Sequence, residues 1–124
     1  MAHQANYEVL FYEVGDGHCP ADEFLDTLEK KVRAKVFKWI DQLAIYGPDL
    51  PRPYADVLRD KIRKLRVRFG SDHFRFLYFF MGKHIIITHG FVKKTDLVPD
   101  QEIDKAIGRM NDFLRRWKQG EIVL

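Results

Sequence analysis

Cysteine is almost missing from this chain: Cys19 stands alone, so no internal disulfide can form and no thiolate cluster can hold a metal. That usage suits a reducing compartment. Long apolar runs are missing too. FLYFFM at 76–81 and HIIIT at 84–88 fall far short of the roughly 20 residues that cross a bilayer. The opening MAHQANYEVL lacks the basic start, apolar stretch and small-residue cleavage site of a secretory leader, so the expectation is a cytoplasmic protein without membrane attachment. No repeat, low-complexity segment or linker breaks the 124 residues, a length that suits one domain over 1–124. Acidic residues are scarce in one place. Residues 59–94 carry ten Lys/Arg against only Asp60 and Asp72, whereas residues 1–58 carry six against ten. A field of one sign attracts polyanions and is the usual footprint of nucleic-acid binding. The same charges would also serve a solvated, lysine-guarded sheet edge.

An apolar share of 46% with 31% charged residues is the balance of an ordinary globular protein. Residues 7–12, YEVLFY, are aromatic or β-branched and end at Gly15-Asp16-Gly17, which predicts a first strand. Pro20 suits a helix start, and Asp22 and Glu23 favour its positive end. Phe24, Leu25, Leu28, Val32, Val36, Ile40 and Leu43 then recur at helical spacing until Gly47-Pro48. The stretch 20–46 is either one helix or a hairpin bent near Leu28–Lys31. After the loop GPDLPRPY come three strands, about 62–69, 73–81 and 84–92, joined by turns short enough for hairpins. Pro99 opens a last helix that closes at Gly120. The order β-α(α)-β-β-β-α predicts an α+β fold, a small, twisted, mainly antiparallel sheet with helices packed on it.

Within the second predicted hairpin strand system, KLRVRFGSDHFRFLYFF at 64–80 sets cations beside aromatics. Period-two alternation puts Leu65, Val67 and Phe69 on one face and Lys64, Arg66 and Arg68 on the other, which is expected to need no helix over it. Arg75 sits among Phe74, Phe76, Leu77 and Tyr78, where its desolvation must be offset by a carboxylate, by carbonyls or by a phosphate ligand. THGFVKKT brings His89, Phe91, Lys93 and Lys94 toward the same end of the sheet. Cations can hold phosphate oxygens and rings can stack on bases. Tyr78, Phe79 and Phe80 read as core, and Trp39 and Trp117 as packing or partner contacts.

From LRVRFGSDHFRFLYFF through HGFVKKT to a proline-started last helix, the chain resembles the RelE/ParE superfamily of small bacterial toxins, most closely its HigB-like, phage-associated branch. The resemblance implies a type II toxin that cleaves mRNA on the ribosome, uses no metal or cofactor, and is held inactive by an antitoxin, often a helix-turn-helix protein. In such toxins the substrate 2′-hydroxyl attacks the adjacent phosphate while basic side chains stabilise the charge that builds up. By position, Arg66 and Arg68 match the basic second-strand residues, Arg75 the arginine after the hairpin turn, and Lys93 and Lys94 the basic pair before the last helix. The expected catalytic set is Arg66, Arg68, Arg75, His89, Lys93 and Lys94, with Lys64, His73 and Phe91 binding substrate. Two departures stand out: Lys64 occupies a place where relatives commonly carry an acid, and Asp96-Leu97-Val98-Pro99 lacks the tyrosine some members use for proton transfer. An imidazole, His89 or His73, would then serve as the base. The alternatives are a non-enzymatic ParE-like inhibitor of DNA gyrase and a degenerate toxin kept for partner binding.

Overall fold

In the computed structural model, which describes residues 5–95 and 97–124, hairpins drive the architecture. The long apolar stretch folds as β3 (Ile62–Phe69), β4 (Asp72–Met81) and β5 (His84–Lys93), consecutive antiparallel strands. Strand β1 (Glu8–Phe11) adds to β5 in parallel, and β2 (Ala55–Arg59) adds to β3 antiparallel, so the sheet order is β1-β5-β4-β3-β2. The α+β fold and its mainly antiparallel sheet match expectation. Strand β2 is the addition. Residues 1–4 and Asp96 lie outside the described residues.

The segment 20–46 is a hairpin of α1 (Pro20–Asp26) and α2 (Lys30–Tyr46), not one helix. Thr27 ends α1 by donating its hydroxyl to the Phe24 carbonyl at 2.6 Å, and Glu29 is extended at ψ 150°. Helix α3 (Asp100–Lys118) follows Pro99 and closes through paired bonds from Gly120 N to Trp117 O and from Glu121 N to Arg116 O, with Gly120 at φ 80°. That left-handed closing turn is why a glycine stands there.

Helices cover both faces. Leu25, Val36 and Leu43 of α1 and α2 pack on Leu65, Phe76, Tyr78, Ile85 and Ile87. On the other face Ala106, Met110 and Phe113 of α3 pack on Ile62, Leu77, Phe79 and Ile86. Central strands buried on both sides read as continuous apolar runs, which is what FLYFF and III are. Each such side chain contributes about 1.5–3 kcal/mol by leaving water. Tyr78 and Phe79 are core as expected, and Phe80 packs partly buried against it. Alternation places Lys64, Arg66 and Arg68 on the face of Ile62, so α3 shares the cationic face, contrary to the expectation that no helix would lie there. The apolar residues Leu77, Phe79 and Ile86 on that face need a cover, and α3 supplies it. Tyr12 anchors α3 to the sheet by donating its hydroxyl to Asp112 Oδ2 at 2.7 Å, an oxygen that also accepts from Arg116 Nε at 3.0 Å. No helix among the described residues is long and apolar enough to cross a membrane.

Candidate functional site

Strand register gathers the predicted residues. Across β3, β4 and β5, Arg66 lies opposite Arg75 and Arg75 opposite Phe91; Arg68 lies opposite His73 and His73 opposite Lys93; Lys64 lies opposite Leu77 and Leu77 opposite His89. These are three adjacent rows on one face, roughly 7 Å apart along the strands. Eight of the nine predicted side chains fall on them; Lys94 follows just past the end of β5. Opposed like charges such as Arg66 and Arg75 weaken a sheet rather than support it.

A bulge makes the rows possible. Tyr78 pairs with Ile87 but Leu77 pairs with His89, so Thr88 is an extra residue on β5. Without it His89 would share the face of Ile85 and Ile87, under α1 and α2. The bulge turns His89, Phe91 and Lys93 onto the arginine face, the re-aiming that bulges perform beside functional sites. The Thr88 hydroxyl fixes the kink, 3.2 Å from the Leu77 carbonyl to which it donates and 3.0 Å from His89 Nδ1.

Burial grades the patch. Arg75 is 0% exposed, and its Nη2 donates to the Thr95 carbonyl at 2.5 Å, one of the carbonyl partners foreseen for an arginine in this setting. His73 is buried, and its Nδ1 accepts from Arg66 Nε at 3.0 Å, which leaves the ring proton on Nε2. Arg68 is exposed and its Nε reaches the Gly70 carbonyl at 3.3 Å. Lys93 and Lys94 are exposed and Phe91 is half-buried. His89 is 4% exposed and stacks on Phe91 with centroids 5.8 Å apart. Its Nε2 is 3.4 Å from Glu102 Oε2, close enough for an ion pair but without hydrogen-bond alignment. Desolvation dominates over that carboxylate and pushes the His89 pKa down to about 4, so the ring is neutral near pH 7. Glu102 is a site residue that periodicity could not nominate, because it reads as an ordinary first-turn acid of α3.

Two further contributors escaped the sequence. The Trp39 ring of α2 stacks on Tyr54, with centroids 4.3 Å apart and planes at 17°, beside Arg66 and Arg68. The sequence signal was only an indole on a helix and a tyrosine after three prolines, and nothing linked them. Among the described residues no group of three His, Cys, Asp or Glu could hold a metal ion.

The fold defines an α+β protein whose mixed five-stranded sheet carries helices on both faces. The chain belongs to the phage-derived Gp49-like protein family (DUF891), whose pattern matches residues 23–111 and so spans α2, all of β2 to β5 and most of α3. No curated protein matches the chain at a significant level.

Proposed function

We propose that the chain is a toxin of the RelE/ParE superfamily, HigB-like and part of a type II toxin-antitoxin pair, that cleaves mRNA on the ribosome. The observation that carries this reading is the alignment of Arg66, Arg68, Arg75 and Lys93 in neighbouring cross-strand rows, edged by Phe91. Arg66, Arg68, Lys93 and Lys94 grip the phosphates, and Phe91 offers a ring edge for a base. Buried Arg75 supplies fixed positive charge from beneath, in a low-dielectric setting where a charge acts strongly. In the reaction the substrate 2′-oxygen bonds to the adjacent phosphorus as the bond to the 5′-oxygen breaks, leaving a 2′,3′-cyclic phosphate and a 5′-hydroxyl. The 2′ proton needs an acceptor and the 5′-oxygen a donor. His89 is a weak base at its depressed pKa, and the His73 Nδ1 lone pair is engaged by Arg66. In this reading the acceptor of the 2′ proton and the donor to the 5′-oxygen are supplied in the ribosome-bound state. The reaction needs no metal or cofactor in this reading, and the partner that silences it is an antitoxin of helix-turn-helix type.

The same sealed imidazoles favour a second reading, a non-enzymatic binder such as a gyrase inhibitor or a degenerate toxin. One experiment separates them. Purified protein added to a translating extract should cut mRNA, and the Arg66→Ala, Arg68→Ala double variant should not. Intact mRNA together with inhibited gyrase supercoiling would transfer the assignment to the second reading.

A further inference from the structure

Beside the cationic rows, where β2 has ended and β3 runs on, the segment before β2 closes over the sheet edge. The Tyr54 carbonyl accepts from Arg66 N at 2.7 Å, and Tyr54 N and Ala55 N both donate to the Pro51 carbonyl, at 3.0 and 3.1 Å. Between this segment, α2 and β3 lies a cavity of about 350 Å³ lined by Lys35, Trp39, Pro53, Tyr54, Arg66 and Arg68. Its volume is at the lower end for small-ligand sites and ample for one nucleobase. Its walls combine two chemistries. The stacked Trp39 and Tyr54 rings form an aromatic platform, and Tyr54 is 39% exposed although it is bonded into the edge through its backbone. Lys35, Arg66 and Arg68 supply three cations, and among the described residues no acidic one lines the cavity. Lys35 Nζ is held in place by donating to the Arg68 carbonyl at 2.5 Å and lies 5.8 Å from the Phe69 ring centroid. Phe69, another exposed aromatic, stands at the end of β3.

An aromatic surface flanked by cations is the arrangement that holds an unpaired nucleotide, with the base stacked and the phosphate paired. Because Arg66 and Arg68 belong both to this cavity and to the rows, a strand lying on the rows leads into it. We propose that the Trp39 and Tyr54 cavity is a base-binding subsite for the unpaired nucleotide next to the one seated on the cationic rows. The base stacks on the aromatic pair and Arg68 and Lys35 hold its phosphate. This inference rests on the RNA-handling reading above. It adds a contact outside the predicted reacting residues that governs affinity for the strand.

The two tryptophans, Trp39 and Trp117, make the test direct. In a Trp117→Phe protein, Trp39 is the only indole. The probe is a 2′-O-methyl RNA hexanucleotide, which cannot be cleaved by its own 2′-oxygen. Fluorescein anisotropy reports binding to the protein and indole emission reports stacking in the cavity. The expected result is saturable quenching of Trp39 at the same midpoint as the anisotropy change, and roughly tenfold weaker binding for Tyr54→Leu with an unchanged thermal melt. Anisotropy binding with unaltered indole emission would overturn the subsite and leave the RNA reading standing. A folded protein that gives no anisotropy change would overturn the subsite, and mRNA left intact in the translating extract would overturn the RNA reading with it. If Tyr54→Leu does not fold, the quench in the Trp117→Phe protein decides alone.

Discussion

Acidification should destabilise this protein through His89, and the size of the effect follows from where the ring sits. Above pH 6.5 the ring is neutral whether the chain is folded or not, so its burial costs nothing extra. Between pH 6.5 and about 4 the unfolded ring takes up a proton that the folded one, desolvated under α3, refuses. Stability is therefore full above the ordinary value, falls as pH drops through this window, and has lost its whole share below about 4. At about 1.4 kcal/mol per pH unit, the displacement from 6.5 to about 4 amounts to roughly 3 kcal/mol. Lys105 and Arg109 push in the same direction as burial and Glu102 opposes them. Other groups titrate over the same range, so the assay is a comparison. Urea unfolding of the parent and of His89→Leu at neutral pH and near pH 4 isolates the one ring. The variant should gain about 3 kcal/mol relative to the parent on acidification. Parallel pH profiles for the two proteins, or a His89 ring signal that titrates near 6.5, would refute the reasoning.

Three other substitutions probe the frame that holds the site. Thr88→Val removes the hydroxyl contacts to the Leu77 carbonyl and His89 Nδ1, and urea unfolding should show a loss of about 1–3 kcal/mol. Gly90→Ala would place a Cβ 2.6 Å from both Phe24 Cδ2 and Phe76 Cε1, so overpacking should lower stability by about 1–3 kcal/mol, read as a fall in melting temperature. Lys61→Gly should stabilise by up to about 1 kcal/mol, because Lys61 holds φ 73° in the turn joining β2 to β3; a melting temperature at or below the parent's would show that its left-handed backbone costs nothing.

That turn explains why β2 was invisible. Asp60 and Lys61 both adopt positive φ, at 51° and 73°, and a sequence reader looks for Asn-Gly or Asp-Gly at such a hairpin. Strands β3, β4 and β5 were legible because Gly70 and Gly82 mark their turns and their β-branched and aromatic content is continuous. The α1 to α2 break left no glycine or proline; a threonine hydroxyl ends α1 while the apolar stripe continues past it. For the site, alternation along β3 assigned Lys64, Arg66 and Arg68 to one face without any knowledge of partners. Whether β5 faced its side chains the same way depended on one inserted residue, Thr88, and nothing in THGFV marks a bulge. The burial of Arg75 could be anticipated from its apolar neighbours, but the depth of His89 was hidden, since it is set by α3, whose own apolar stripe does not say which face of the sheet it will cover.

The salt dependence of single-stranded RNA binding tests the shared phosphate-gripping face most directly. Each phosphate contact contributes about 0.7 to the slope of log affinity against log salt. The Arg66→Ala, Arg68→Ala double variant, folded but with a lower melt for want of the Arg66 bond to His73, should lower that slope by about 1.4. An unchanged slope in a folded double variant would contradict the account.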